Sequence, residues 1–201
     1  MRKPIFLILL GLGLLAGATA HATVVVPADL KQLTTRANAI VRGRVVTVQS
    51  QWTGDGRRVE TIVTLEASGY IKGDLGPRVI FRVPGGKMGT LRSVVVGAPV
   101  VREGDEIIVF LGATGPAIPR IVGFNQGIFR VAIDAASGRR VVAKPVLAGE
   151  PASKTPFRAG DVTVKTVPLS EFEGQVRSLV AQDVARPGRN APAGRAVPRI
   201  R

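Results

Sequence analysis

The side chains that carry out most protein chemistry are scarce in this chain. It has no cysteine, and its one histidine, His21, stands close to the N-terminus. Thiolate metal sites, iron–sulfur clusters, cysteine nucleophiles, disulfides and a lipid-modified N-terminal cysteine are therefore excluded. A Ser-His-Asp triad has no histidine to use in the body of the chain. Gly86-Lys87 has the look of a phosphate loop, but Phe81 stands where the motif requires its first glycine, and Met88 where Ser or Thr must hold magnesium. Ser153-Lys154 is an adjacent pair, whereas a working Ser-Lys dyad needs two side chains converging on one point. The paired acids are Asp105-Glu106 and Glu171-Phe172-Glu173. Strand neighbours point to opposite faces, so the first pair is not expected to share acid–base work. The second is expected on an exposed helix face near an N-terminus, where the dipole favours acids. The sequence thus predicts no enzyme, no cofactor and no metal site.

Binding is the chemistry left, and two sets of residues suit it. One set lies in the N-terminal segment, the turn after the first strand and a long glycine-rich connection: Thr23, Val24, Val25, Asp55, Arg57, Lys87, Met88 and Arg92. Chain ends and long connections form a rim suited to recognising a protein. The runs Val24-Val25-Val26 and Val94-Val95-Val96 would supply desolvated contacts there, or else serve as core or edge strand. The other set is Arg42, Arg44, Arg58, Arg78, Arg82 and Arg130, which outward strand parity could gather on one face as a polyanion site for envelope glycan, lipopolysaccharide or lipid phosphate. Single-stranded nucleic acid fits poorly, because stacking platforms are few: only Trp52 and Tyr70, both at strand ends.

The elements that must position these residues begin after an apparent leader. Arg2 and Lys3, the apolar run Ile5 to Leu15 and the overlapping Ala18-Thr19-Ala20 and Ala20-His21-Ala22 sites match a secretory signal peptide over residues 1–22. The apolar run is short of the ~20 residues that span a bilayer. Export to the periplasm or medium is expected, by the Sec-type route since the twin-arginine signal is absent. The rest suits one domain over residues 23–184 and a tail over 185–201. Arg186, Arg189, Arg195, Arg199 and Arg201, broken by prolines and glycines and with no acid among them, predict a disordered basic tail. The net charge of +14 therefore overstates the body, which carries about +7 once leader and tail are set aside.

Within the domain, Pro27 to Ala37 predicts a short helix with Asp29 in its first turn. Ala39 to Gln51 reads as a strand that swaps faces at Gly43. Arg58 to Ala67 alternates cleanly, with Val59, Thr61, Val63, Leu65 and Ala67 inward and Glu60 among the outward residues, and it should pair with the first strand as an antiparallel hairpin. Strands are also expected over Arg78 to Val83, Ile128 to Ile133 and Arg139 to Ala143, while Asp105 to Leu111 is apolar on both parities and suits a two-sided central strand. A closing helix carries the stripe Leu169, Phe172, Val176, Leu179 and Val180, with Ser170 as its N-cap. The expected class is all-β: a small closed OB-like antiparallel barrel with a short N-terminal helix and a C-terminal helix.

The blocks Ala39-Ile40-Val41-Arg42-Gly43-Arg44-Val45-Val46, Val63-Thr64-Leu65-Glu66 to Tyr70-Ile71-Lys72-Gly73, Val79-Ile80-Phe81 and Gly104-Asp105-Glu106-Ile107-Ile108-Val109-Phe110-Leu111 resemble the strands of tissue inhibitors of metalloproteinases and related netrin-like domains. With the block Gly123-Phe124-Asn125-Gln126-Gly127-Ile128-Phe129-Arg130-Val131, they also resemble a set of exported bacterial proteins. The resemblance spans roughly Pro27 to Ile133 and implies an OB-like barrel. In those inhibitors a Cys-x-Cys motif opens the mature chain and its first residue chelates a protease zinc; here Ala22-Thr23-Val24-Val25-Val26-Pro27 has no cysteine. A free amine, or His21 after cleavage at Ala20, would be the substitute chelator. The partner is thus expected to be a protein, a secreted protease among the candidates, or an anionic envelope component.

Overall fold

The computed structural model describes residues 28–113, 117–135, 137–143 and 166–185. The leader, Thr23, Val24 and Val25, Ser153-Lys154 and the arginines beyond Ala185 lie outside them. In chain order the elements are α1 (Leu30–Arg36), β1 (Ala39–Trp52), β2 (Val59–Lys72), β3 (Arg78–Pro84), β4 (Gly86–Met88), β5 (Leu91–Ser93), β6 (Glu106–Gly112), β7 (Arg120–Ile121), β8 (Ile128–Ile133), β9 (Arg140–Ala143), β10 (Thr166–Pro168) and α2 (Leu169–Val184).

Local chemistry fixes several of these boundaries. α1 begins one residue after Asp29, whose carboxylate accepts from the Gln32 N–H at 2.6 Å. Asp29 is therefore the cap, satisfying a donor that a helix start leaves open, and not a first-turn residue as the sequence suggests. α2 starts directly after Pro168, which offers no side-chain cap, so Ser170 sits inside the first turn. The long connection from Pro84 to Gly104 is not bare loop: β4 and β5 form a small hairpin within it.

β1 and β2 pair antiparallel along their whole length, and β2 runs on to Lys72, past the alternation that ends at Ala67. Their register slips at three points, one of them at Val46, which has no partner between the Val45–Leu65 and Thr47–Thr64 pairs. Val41 and Val45 point into the core before this bulge and Val48 does so after it. The face switch thus lies at Val46 and not at Gly43, because an unpaired extra residue resets the alternation whereas a glycine alone does not. Gly43 serves close approach instead. A Cβ there would lie 2.2 Å from the Glu66 carbonyl oxygen, so only glycine lets the two strands coil together at that point.

The strand order β1-β2-β3-β7-β6, with β6 pairing back to β1, makes a ring of five strands. All its pairings are antiparallel except β3–β7, a parallel link with Arg82 opposite Arg120, which corrects the fully antiparallel expectation. β1 occupies one edge of β6; β7 and then β8 share the other, and β8, β9 and β10 extend the sheet away from the ring.

β6 has two cores to serve. Ile107, Val109 and Leu111 face the ring interior with Val63, Leu65, Val79 and Phe81. Ile108 and Phe110 face the opposite side, where Leu33 of α1 and Leu169, Phe172 and Val176 of α2 cover them. Phe129 stands between Phe110 and Phe172, its ring centroid 5.6 and 4.7 Å from theirs. Each such side chain contributes roughly 1.5–3 kcal/mol by leaving water. Polar contacts then fix the helices in place: Arg42 Nε lies 3.5 Å from Glu173 Oε1, Lys72 Nζ 3.5 Å from Asp183 Oδ2, and the Thr35 hydroxyl donates to Asp183 at 3.1 Å. Glu173 therefore faces the sheet and also pairs with Arg177 at 3.0 Å, while Glu171 alone matches the exposed reading. Among the described residues no helix is long and apolar enough to cross a membrane.

Candidate functional site

The end of the ring where β2 begins and β3 ends carries exposed apolar and cationic groups together. Its scaffold is the connection from Pro84 to Gly104, fastened to the ring by short polar contacts. The Thr61 hydroxyl donates to the Gly85 carbonyl at 2.7 Å and the Lys87 N–H donates to the Ser50 hydroxyl at 3.1 Å. Gly86, at φ 149°, has Ser50 Oγ where a Cβ would sit, 2.4 Å away, so the hairpin lies directly against β1 and β2. Farther along, Ala98 and Val101 tuck against the ring core and the Asn125 N–H donates to the Gly97 carbonyl at 3.0 Å.

The valines between these anchors face outward. Val94 and Val96 are 72 and 73% exposed and Val100 is 65% exposed, with Val95 and Leu91 half-exposed beside them. The alternative of a buried valine run does not hold, because the chain is pinned on either side of it and turns at Gly97, whose φ is 81°. A groove of about 610 Å³ runs between this loop and the hairpin, with Val63 and Val83 of the ring at its floor. Lys87 and Arg92 stand opposite each other across the hairpin, as do Met88 and Leu91. Like charges placed directly opposite are unfavourable unless an anion joins them.

On the other side of the loop is a hollow of about 490 Å³ lined by Arg58, Arg82 and Arg120, with Glu60, Val95, Pro99 and Phe124. The parallel β3–β7 link sets Arg82 and Arg120 side by side. Glu60, only 8% exposed despite its outward parity, accepts from Gln51 at 3.1 Å and holds Arg82 Nη1 at 3.4 Å. Arg82 Nε is buried without a hydrogen-bond partner among the described residues. Phe124 is half-exposed at φ 54°, the one described non-glycine residue in the left-handed region, and such strain tends to collect at functional sites.

The sequence-derived candidates divide accordingly. Lys87, Met88 and Arg92 belong to this end. Asp55 and Arg57 lie in the turn before β2, where Asp55 is committed to the turn itself: it accepts from the Thr53 hydroxyl and from the Arg57 N–H at 3.1 Å. The Thr53 hydroxyl, then the Arg57 N–H, hold its carboxyl below the usual carboxylate range. Thr23, Val24 and Val25 lie outside the described residues.

The six arginines do not share one face. Arg58 and Arg82 line the hollow; Arg42 reaches Glu173 of α2; Arg78 lies opposite Glu66. Arg44 and Arg130 belong to a separate depression of about 480 Å³ with Asp105, Glu106 and Arg140. There Asp105 sits just ahead of β6 and outside its alternation, so both acids of the pair reach the same depression. Each is taken by its own arginine, Asp105 by Arg130 at 3.8 Å and Glu106 by Arg140. Strand parity misleads here because pairing partners, absent from a parity count, decide where each guanidinium goes. Tyr70 is occupied too: its hydroxyl donates to the Gly76 carbonyl at 2.6 Å, and burial raises its phenol above the usual value.

Sequence reasoning missed Glu60, Arg120 and Phe124. Gly123-Phe124-Asn125 held the signal for a turn, but nothing in it places an aromatic beside arginines from β2 and β3. Compared with known proteins, the chain matches no family model and no curated protein.

Proposed function

We propose that this chain is a non-catalytic binding module on an OB-like barrel, exported from the cell, that recognises a protein through the end of the ring built by residues 84–104. The observation that carries the reading is the exposure of Val94, Val96 and Val100 on a loop anchored at Gly85, Ala98 and Val101. Contiguous exposed apolar side chains mark interaction surfaces. A loop already held in place gives up little conformational entropy when it binds. The mostly β architecture with two helices and a five-strand ring is what the OB-like part of the reading builds on.

Polyanion binding is the weaker reading, because the six arginines are divided among separate places and Arg42 and Arg130 already face carboxylates of the same chain. The experiment is co-precipitation from exported material with the natural chain and with a Val94→Asp, Val96→Asp double variant, across a salt series. Protein recognition predicts discrete partners that vanish with the double variant and persist at high salt. Partners that survive the double variant and leave as salt rises contradict it.

A further inference from the structure

We propose that the hollow formed by Arg58, Arg82 and Arg120 binds the chain-terminal carboxylate of a peptide whose last residue is apolar. This deepens the recognition reading and rests on it, since Val95 belongs both to the hollow and to the loop assigned to recognition.

The argument starts from charge. The lining carries three guanidiniums and one carboxylate, Glu60, and even with Asp55 in the neighbouring turn acting on Arg58 the hollow keeps a surplus of positive charge. Arg58 and Arg120 form no ion pair with any described carboxylate, and Arg82 has a buried Nε that no described group accepts from. A planar, bidentate oxyanion is the ligand that guanidinium forks match. Arg82 and Arg120 come from neighbouring strands in register, so both forks can serve one carboxylate. Glu60 sets a limit on the ligand's charge: 3.4 Å from Arg82 Nη1, it would oppose a second negative charge on the bound group, which favours a carboxylate over a dianionic phosphate. Apart from Thr53 and Ser93 the rest of the lining is apolar, and it includes Val95 and the half-exposed ring of Phe124. A carboxylate attached to an apolar body satisfies both halves at once, and a peptide terminus is the form in which a protein partner carries one.

Phe124 supplies an independent handle. Its left-handed backbone is disfavoured for a phenylalanine, so Phe124→Gly relieves strain while removing the ring from the hollow. A purely structural role for Phe124 predicts a higher melting temperature with unchanged ligand affinity; a ligand-binding role predicts a higher melting temperature with weakened affinity.

The test is a nuclear magnetic resonance titration of the full chain, purified as the producing cell delivers it, with an acetylated tetrapeptide ending in phenylalanine. Its C-terminal amide and inorganic phosphate serve as comparison probes. The free acid is expected to shift the Nε–H resonances of Arg82 and Arg120 with a millimolar or tighter constant. Arg120→Ala and Phe124→Gly should each weaken it about tenfold, and Arg78→Ala should leave it unchanged. Equal binding of acid and amide, phosphate binding as tight as the acid, or no shift with the acid would each overturn the proposal. The Val94→Asp, Val96→Asp variant separates this from the recognition reading: it should lose partner capture yet keep the tetrapeptide. If the tetrapeptide fails while that variant still abolishes capture, the carboxylate site alone falls.

Discussion

Gly43 and Glu66 meet across the β1–β2 pair so closely that a Cβ on Gly43 would fall 2.2 Å from the Glu66 carbonyl oxygen and 2.9 Å from Leu65 Cγ. Backbone on a paired strand cannot retreat without breaking the ladder. Gly43→Ala is therefore expected to destabilise the fold by about 3 kcal/mol, read as a lower urea midpoint with little change in slope. An unchanged midpoint would mean that the strands do not coil together there.

The second core should be equally sensitive. Phe129 joins β8 to α2 through Phe172, 4.7 Å away, so Phe129→Ala is expected to cost about 3–5 kcal/mol. Hydrogen exchange should show the loss first in α2, which packs on β8 through this aromatic stack. Protection lost evenly from β1 to β3 instead would place the stack's weight elsewhere.

Phe124→Gly should act in the opposite direction. Relief of the left-handed strain, less the added freedom of the unfolded glycine, gives a gain of about 1 kcal/mol. Thermal unfolding checks it; a lower melting temperature would show that the ring's packing outweighs the strain.

Asp55 predicts a local response to acid. Its folded-state pKa is lowered by the Thr53 hydroxyl and the Arg57 N–H, so its support of the turn is present above the ordinary aspartate value of about 3.9 and is lost as the pH falls through the lowered folded value. The Arg57 amide resonance should hold its position through pH 4 and move only at more acidic pH. Asp55→Asn should abolish that movement while keeping the turn, and titration at or above the ordinary value would contradict the account.

Tyr70 predicts the alkaline counterpart. Burial raises its phenol, so the stability it contributes is complete below the ordinary value of about 10 and falls as the pH rises through the raised folded value. Tyr70→Phe should flatten the stability profile above pH 10; an identical slope in both proteins would remove the assignment.

How much of this was legible in the sequence depends on the length of the signal. β6 was readable because five consecutive buried residues, Ile107 to Leu111, can only serve two faces. The stripe of α2 was readable for the same reason. β7 has two residues, too few for any period, and with it went the ring's parallel link and Arg120. The face switch in β1 was misplaced because glycine is a visible mark and a bulge at Val46 is not. The valine run was ambiguous until its anchors, Ala98 and Val101, were seen to hold the adjoining chain and leave Val94 and Val96 outside.

The most direct test of the recognition claim is photo-crosslinking in the producing cell from two positions of matched exposure, Val96 at 73% and Ile133 at 72%. Each is replaced in turn by p-benzoylphenylalanine. The account predicts a discrete protein adduct from position 96 and none from position 133. The same adducts from both positions, or an adduct from position 133 alone, would contradict it.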